Sequence, residues 1–233
     1  MADPTRTRTR IDDGIAWIAL DDGKVNALSP ELIAEIGAAL DAAEKASAVA
    51  VLSGRPGIFS AGFDLKTFER GPEAGIAMVH AGAQLVLRLL GFPRPVLTVC
   101  TGHAYPAGAF LMLAADSRLG LAGGFRIGMN ETAIGMTVPR FALELARHRL
   151  TPQGFARIAS AAMFEPDQAQ RLGYLDRVLP AEALDAAARE EALRLRALDA
   201  PAFAATKARI NERAIQAIRT ALEEELGGRR PSS

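Results

Sequence analysis

The order in which strand and helix signals alternate constrains this chain more than any single motif. Gly14 to Leu20 alternates and is rich in β-branched and aromatic residues, which predicts a first strand ended by the turn Asp21-Asp22-Gly23. Ser29-Pro30 then opens a helix, serine as cap and proline in the first turn, and Leu32, Ile33, Ile36, Leu40 and Ala43 recur at helical spacing. Ala48 to Ser53 follows as a continuous apolar run of strand length. Strand, helix and strand in succession need a crossover connection, and that implies a parallel sheet.

The alternation continues. Gly54-Arg55-Pro56-Gly57 reads as a loop, Gly71-Pro72 as a break, and Gly75 to Leu90 as a helix with Val79, Leu85, Val86 and Leu89 apolar. Val96 to Cys100 restarts the chain as a buried strand. Pro106 to Ala115 is apolar throughout, which predicts a helix buried on every side. Ser117 to Leu121 is a further strand. From Pro139 the pattern turns helical: Phe141 to Leu150, Thr151 to about Met163, and a third helix from Glu165-Pro166. Arg177 to Pro180 is short and extended, and long helices follow over Ala181 to Leu198 and Pro201 to Leu226. Arg6, Arg8 and Arg10 alternate with threonine as a solvated lead-in to the first strand, and the Gly227 to Ser233 tail is expected to fray.

Composition narrows the function. The 233 residues are 49% apolar, enough for one sizeable core. Its 27 bases balance 27 acids, so no chain-wide footprint for nucleic acid exists. The longest apolar stretches stop short of the ~18 to 20 residues a membrane span needs, and no signal peptide opens the chain, so a cytoplasmic protein is expected. Cys100 is the only cysteine, which rules out an internal disulfide and a thiolate cage, and it reads as a small buried residue. His80, His103 and His148 are the only histidines, and no carboxylates cluster at ligand spacing, so no metal site is expected. His80 reads as a structural histidine. The phosphate loop, the dinucleotide glycine motif and the serine elbow are all missing.

Two stretches are left to carry chemistry. Phe59-Ser60-Ala61-Gly62-Phe63-Asp64-Leu65 runs from a strand end through a glycine turn into a helix. Thr101-Gly102-His103-Ala104-Tyr105-Pro106-Ala107-Gly108 leads through the apolar helix to Gly128-Met129-Asn130-Glu131. Each opens a helix after a small-residue loop, so each aims N–H groups without intrahelical partners at a developing negative charge. Two such donors converging would make an oxyanion hole, with Glu131 as the proton carrier beside it. Met129, Ala133 and Ile134 flank Glu131, an apolar setting that raises a carboxyl pKa. A purely structural Glu131, capping or pairing within a loop, is the alternative.

These stretches resemble the crotonase superfamily, the enoyl-CoA hydratases and isomerases. The resemblance covers nearly the whole chain, from Asn26-Ala27-Leu28 through both stretches to Gly128-Met129-Asn130-Glu131. It implies an α/β fold with a ββα spiral core over residues 1–178 and a helical C-terminal trimerisation region over residues 179–233 of the same unit. A homotrimer or a dimer of trimers is implied with it. The substrate would be an acyl-CoA thioester, and no separate cofactor is implied because coenzyme A belongs to the substrate. Oxyanion donors fall by the match on the N–H groups of Phe63 and Ala107, the second standing where hydratases usually have glycine. The backbone around Lys24, Val25 and Ala27 is placed at the adenine end of coenzyme A, and Ala61, Asp64, Leu65, Gly108 and Phe110 around the substrate. Asp64 either joins that pocket or simply favours the start of its helix.

One departure bears on the reaction. Hydratases of this family use two glutamates, matched here by Glu131 and by Phe110, and a phenyl ring can neither hold water nor take its proton. A single glutamate is similar instead to the 3-enoyl to 2-enoyl-CoA isomerases, as are the Pro-Ala-Gly of the loop and the Asn130-Glu131 pair. The resemblance therefore implies a proton shuttle by Glu131 between C2 and C4, with Phe110 in a dry acyl pocket or merely in the core. Hydration, other enolate chemistry on a thioester and a non-catalytic acyl-CoA-binding subunit are the alternatives. His103 and Tyr105 are candidates for a further donor or proton carrier.

Overall fold

Asp13 and Gly14 take φ values of 48° and 67°, the left-handed pair of a two-residue hairpin. They fold strand β1 (Thr7–Asp12) antiparallel onto β2 (Ile15–Leu20). The threonine-arginine alternation expected as a lead-in is therefore an edge strand. Its exposed Arg8 pairs with Asp21 at 2.7 Å and Arg10 with Asp12 at 3.2 Å, and such charges discourage pairing with another chain. The computed structural model describes residues 5–226; the Gly227 to Ser233 tail lies outside the described residues.

Helix α1 (Pro30–Lys45) opens on Ser29, whose Oγ accepts from the Leu32 N–H at 3.3 Å. Three ββα passes follow. Strands β3 (Val49–Ser53) and β4 (Gly57–Ser60) precede α2 (Leu65–Glu69) and α3 (Pro72–Gly91). Strands β5 (Val96–Cys100) and β6 (Gly102–Ala104) precede α4 (Pro106–Leu113), and β7 (Ser117–Leu121) and β8 (Ile127–Gly128) precede a 3-10 turn at Glu131–Ile134 and α5 (Arg140–Arg149). Helix α6 (Pro152–Ala156), β9 (Met163–Phe164), α7 (Pro166–Leu172) and β10 (Arg177–Leu179) lead to the long helices α8 (Ala181–Arg196) and α9 (Ala200–Leu226).

The first strand of each pass joins a six-stranded sheet, β1-β2-β3-β5-β7-β10, and the second joins a four-stranded sheet, β4-β6-β8-β9. The chain thus winds as a spiral between two sheets. In the larger sheet every pairing except β1 with β2 is parallel, as the strand, helix, strand order required. Ala50, Leu52 and Val96 face the main core, whereas Val49, Val51, Leu97 and Val99 face α8 in a second core. Burial on both faces is why these strands read as continuous apolar runs.

Two helix boundaries differ from the sequence reading. The helix expected from Thr151 to about Met163 stops at Ala156; Ala161 turns left-handed at φ 53°, and Met163 and Phe164 pair antiparallel with β8. Strand pairing at that sheet edge overrides local helical pattern. Helix α3 begins at Pro72, in its first turn, rather than at Gly75. It is also long and apolar enough to cross a membrane by length and composition, contrary to the sequence reading, yet Met78, Ala83, Leu85, Val86, Leu89 and Leu90 pack into the core.

Helix α9 lies along α3 and α5 of its own chain. The Lys207 ammonium, buried, meets Asp116 at 2.6 Å, while Asp116 also accepts from the Val96 N–H at 2.8 Å. Asn211 donates to the Leu90 carbonyl at 2.9 Å, and its Oδ1 lies 2.9 Å from Nε2 of His148.

Candidate active site

The turn after β4 is shaped by hydrogen bonds that fix one peptide plane. Gly62 has φ 92°, which an L side chain resists, and its N–H donates to Ser60 Oγ at 3.2 Å. Ser60 Oγ in turn donates to the Asn26 carbonyl at 2.7 Å. Asn26 is itself buried at φ 52°, and its Nδ2 donates to the carbonyls of Leu20 and Phe59 at 3.0 and 3.1 Å. The Gly62 carbonyl accepts from the Leu28 N–H at 2.8 Å. In a trans peptide the N–H points opposite its carbonyl, so this bond turns the Phe63 N–H away from Leu28.

The second amide comes from the start of α4. Pro106 is its first residue and Ala107 its second, so the Ala107 N–H has no intrahelical acceptor. Among the described residues neither it nor the Phe63 N–H has a backbone acceptor. The two segments touch: a Cβ on Gly62 would lie 3.7 Å from the Ala107 nitrogen and 3.6 Å from that of Pro106. Gly108, expected around the substrate, faces Ser60 instead, where its Cβ would stand 2.8 Å from Ser60 Cβ. Glycine there permits the close approach of helix and turn.

Between the segments lies a cavity of about 200 Å³ bordered by Ala61, Gly62, Phe63, Leu65, Tyr105, Pro106, Asn130 and Glu131. Phe68, Val79, Ile134, Met136 and Pro139 make its wall apolar. Glu131 is its only carboxylate among the described residues. The residue is 6% exposed, and neither carboxyl oxygen has a hydrogen-bond partner. Burial pushes its pKa up to about 7, so the group can give and take a proton near neutrality. Tyr174, also buried, has its phenol raised by burial and then by the nearby Glu131 charge. Phe110 does not border the cavity directly. Its ring meets those of Phe63 and Phe141 edge-on, at 6.3 and 5.6 Å between centroids, and backs the wall.

Lys24, Val25, Ala27 and Asp64 border a separate polar groove of about 790 Å³, with Arg6, Arg8, Lys66 and Arg70. Asp64 edges the groove and Leu65 the cavity, so neighbouring residues at the start of α2 border each of them. Asp64 borders that groove and also caps α2, accepting from the Lys66 N–H at 3.3 Å and from Thr67 Oγ1 at 2.8 Å. The loop carries a device the sequence reading missed. The Asp22 carboxylate accepts from the N–H groups of Lys24, Asn26 and Ala27 at 2.7, 2.9 and 3.2 Å, so those donors are already engaged.

Of the two aromatic candidates on the second loop, Tyr105 borders the cavity and His103 does not. Nδ1 of His103 accepts from the Arg126 N–H at 3.0 Å and its ring stacks on Tyr105 and meets Phe125 edge-on, which ties it outside. Cys100 is buried, its thiol pushed up to about 12 by burial, and His80 is exposed on α3. Asn26 and Ser60 are the positioning residues that sequence reasoning named without a role. Their signal was a polar pair inside otherwise apolar motifs.

The spiral of ββα passes is the crotonase fold. The enoyl-CoA hydratase/isomerase family model matches residues 10–227, and the chain belongs to that family. An enoyl-CoA hydratase/isomerase family protein from Pseudomonas syringae superposes with a TM-score of 0.93 at 42% identity, covering 94% of this chain and 96% of the other. The structure of an enoyl-CoA isomerase from Mycobacterium tuberculosis gives 0.91 at 37% identity, over 95% and 98%. A probable enoyl-CoA hydratase of Mycobacterium avium is 33% identical over 86% of this chain and 79% of its own length. The chain spans less of some curated relatives, 65% for a probable enoyl-CoA hydratase of Bacillus subtilis.

Proposed function

We propose that this protein isomerises 3-enoyl-CoA to trans-2-enoyl-CoA, with Glu131 as the single proton carrier. The observation that carries the reading is one buried carboxylate without partners, facing a cavity beside two free amides, with the Phe110 ring where the hydratases it resembles have a second acid. The Glu131 carboxylate takes a proton from C2. The electron pair then spreads onto the thioester oxygen as a dienolate, held by the Phe63 and Ala107 N–H groups. Glu131 returns the same proton to C4, the double bond moves from C3–C4 to C2–C3, and nothing else is consumed.

A thioester α-proton is too weakly acidic for an isolated carboxylate. Each amide donor therefore has to contribute, and losing one typically costs about 2.7–4 kcal/mol of transition-state stabilisation. A base held near pH 7 serves both transfers, since it must give back what it takes. The apolar wall disfavours water addition, and we assign the nucleotide end of coenzyme A to the groove, where Arg6, Arg8, Lys24, Lys66 and Arg70 stand among Asp21, Asp22, Glu31 and Asp64.

The test is a pair of assays on one preparation: trans-2-enoyl-CoA formed from cis-3-enoyl-CoA, and hydration of trans-2-enoyl-CoA. Isomerisation abolished by Glu131→Gln supports the reading. Brisk hydration would defeat it, and tight coenzyme A binding with neither activity would favour a non-catalytic subunit.

A further inference from the structure

Helix α3 turns Gly75, Val79 and Gly82 to one side, at i, i+4 and i+7. Val79 borders the cavity, and the two glycines are notches filled by aromatic rings. A Cβ on Gly82 would stand 2.6 Å from both Cε1 and Cζ of Phe63; one on Gly75 would stand 2.6 Å from Cδ1 of Phe68. Glycine inside a helix is disfavoured on backbone entropy alone, so the side chains that use these notches matter. One ring belongs to the residue that carries the first free amide. The other belongs to α2 and only walls the cavity.

We propose that Gly82 is a positioning residue for the Phe63 N–H, which it holds on the thioester oxygen by seating the Phe63 ring in helix α3. The inference rests on the reading of that amide as an oxyanion donor. The peptide before Phe63 is held on its carbonyl side by the Leu28 N–H at 2.8 Å, and the ring seat holds the residue on the other side. Carbon atoms in good contact lie ~3.5–4.0 Å apart, so a methyl on Gly82 forces the ring back by about 1 Å. The same ring is also packed edge-on against Phe110, itself backed by Phe141, so it is held by neighbours besides Gly82. The ring must then enter the cavity or drag its own backbone, and either moves the donor relative to Ala107.

The experiment compares Gly82→Ala, Gly75→Ala, Phe63→Leu and the double variant Gly82→Ala/Phe63→Leu. Both glycine variants push one methyl into a ring-filled notch of the same helix, so thermal stability should respond alike. Only Gly82→Ala should lower kcat, by roughly ten- to a hundredfold, approaching the loss of a whole donor. A second readout needs no turnover: acetoacetyl-CoA, a β-keto thioester whose enolate absorbs in the near ultraviolet, should lose its enolate band on Gly82→Ala and keep it on Gly75→Ala. Leucine lacks the two ring atoms that clash, so the double variant should exceed both Gly82→Ala and Phe63→Leu, by about tenfold over the former. That reciprocal rescue also stands if one single variant folds poorly.

A wild-type enolate band in Gly82→Ala, equal losses in both glycine variants, or no rescue would each overturn the assignment. If the unmutated protein enolises acetoacetyl-CoA without isomerising 3-enoyl-CoA, the reaction proposed above fails while the spectrum still decides the role of Gly82. If it forms no enolate at all, the donor pair and this inference fall together.

Discussion

Replacing Glu131 by glutamine should make the protein inactive and raise its stability relative to the wild type as pH climbs. Burial raises the carboxyl from its ordinary 4.5 to about 7, so the folded chain binds this proton more tightly than the unfolded chain does. The wild type therefore has its full share of stability below about pH 4.5 and loses it as pH rises through 7. Once the group is fully ionised the penalty is about 3 kcal/mol, at ~1.4 kcal/mol per pH unit between the two values. Glutamine stays neutral throughout, and as an unpartnered buried amide it carries a desolvation cost that does not change with pH. The quantity to measure is thus the difference between variant and wild type, by urea unfolding in steps from pH 4.5 to 9. It should grow by about 3 kcal/mol in favour of the variant, most of it between pH 4.5 and 7 and level above that, or roughly 6–12 °C in Tm for a chain this size. A difference flat across that range would refute the argument, because it would mean that the carboxyl titrates as an ordinary glutamate.

Other perturbations have equally definite outcomes. The kcat/KM of isomerisation should climb with pH and level off above about 7 as Glu131 becomes the free base, a profile measured with saturating coupling enzyme. Gly62→Ala imposes φ 92° on a side chain and sets its methyl 3.7 Å from the Ala107 nitrogen, so kcat should fall by about 10²–10³ in steady-state assays. Lys207→Ala takes the ammonium from the half-buried Asp116 carboxylate, which keeps the Val96 N–H, and chemical unfolding should register a loss of about 1.5–3 kcal/mol. Phe110→Ala removes a ring that is 2% exposed and touches two others; a loss of about 3–5 kcal/mol is expected, with hydration rising only if water then reaches the cavity.

Residues whose surroundings are local were legible in the sequence, and residues defined by distant contacts were not. The parallel sheet followed from the order of apolar runs, and Ser29, Pro30 and Pro106 marked helix starts that the fold keeps. Glu131 and the two helix-opening stretches stood out because each sits at a helix or turn boundary with a small-residue approach, whereas the resemblance, not the spacing, put the donors on Phe63 and Ala107. The hairpin of β1 was readable too, had Asp13-Gly14 been weighed as a turn pair. By contrast, the spiral repeat leaves no fixed period, because its passes begin at Val49, Val96 and Ser117 and enclose helices of unequal length. Gly108 against Ser60 and Gly82 against Phe63 are contacts between segments far apart in the chain, and a glycine carries no mark of which side chain fills the space it leaves.

Helix α9 holds the helix that carries one amide and the helix that seats the ring beside the other. Through Lys207 it grips Asp116, just beyond the end of α4, and through Asn211 it grips Leu90, near the end of α3. Helix α4 presents Ala107, and α3 seats the ring of Phe63. On the proposed reading of the two amides as donors, the gap between them is set like the span of a caliper, by a brace at the hinge rather than at the tips. Loosening that brace should blur the grip on a thioester oxygen well before the sheets themselves come apart.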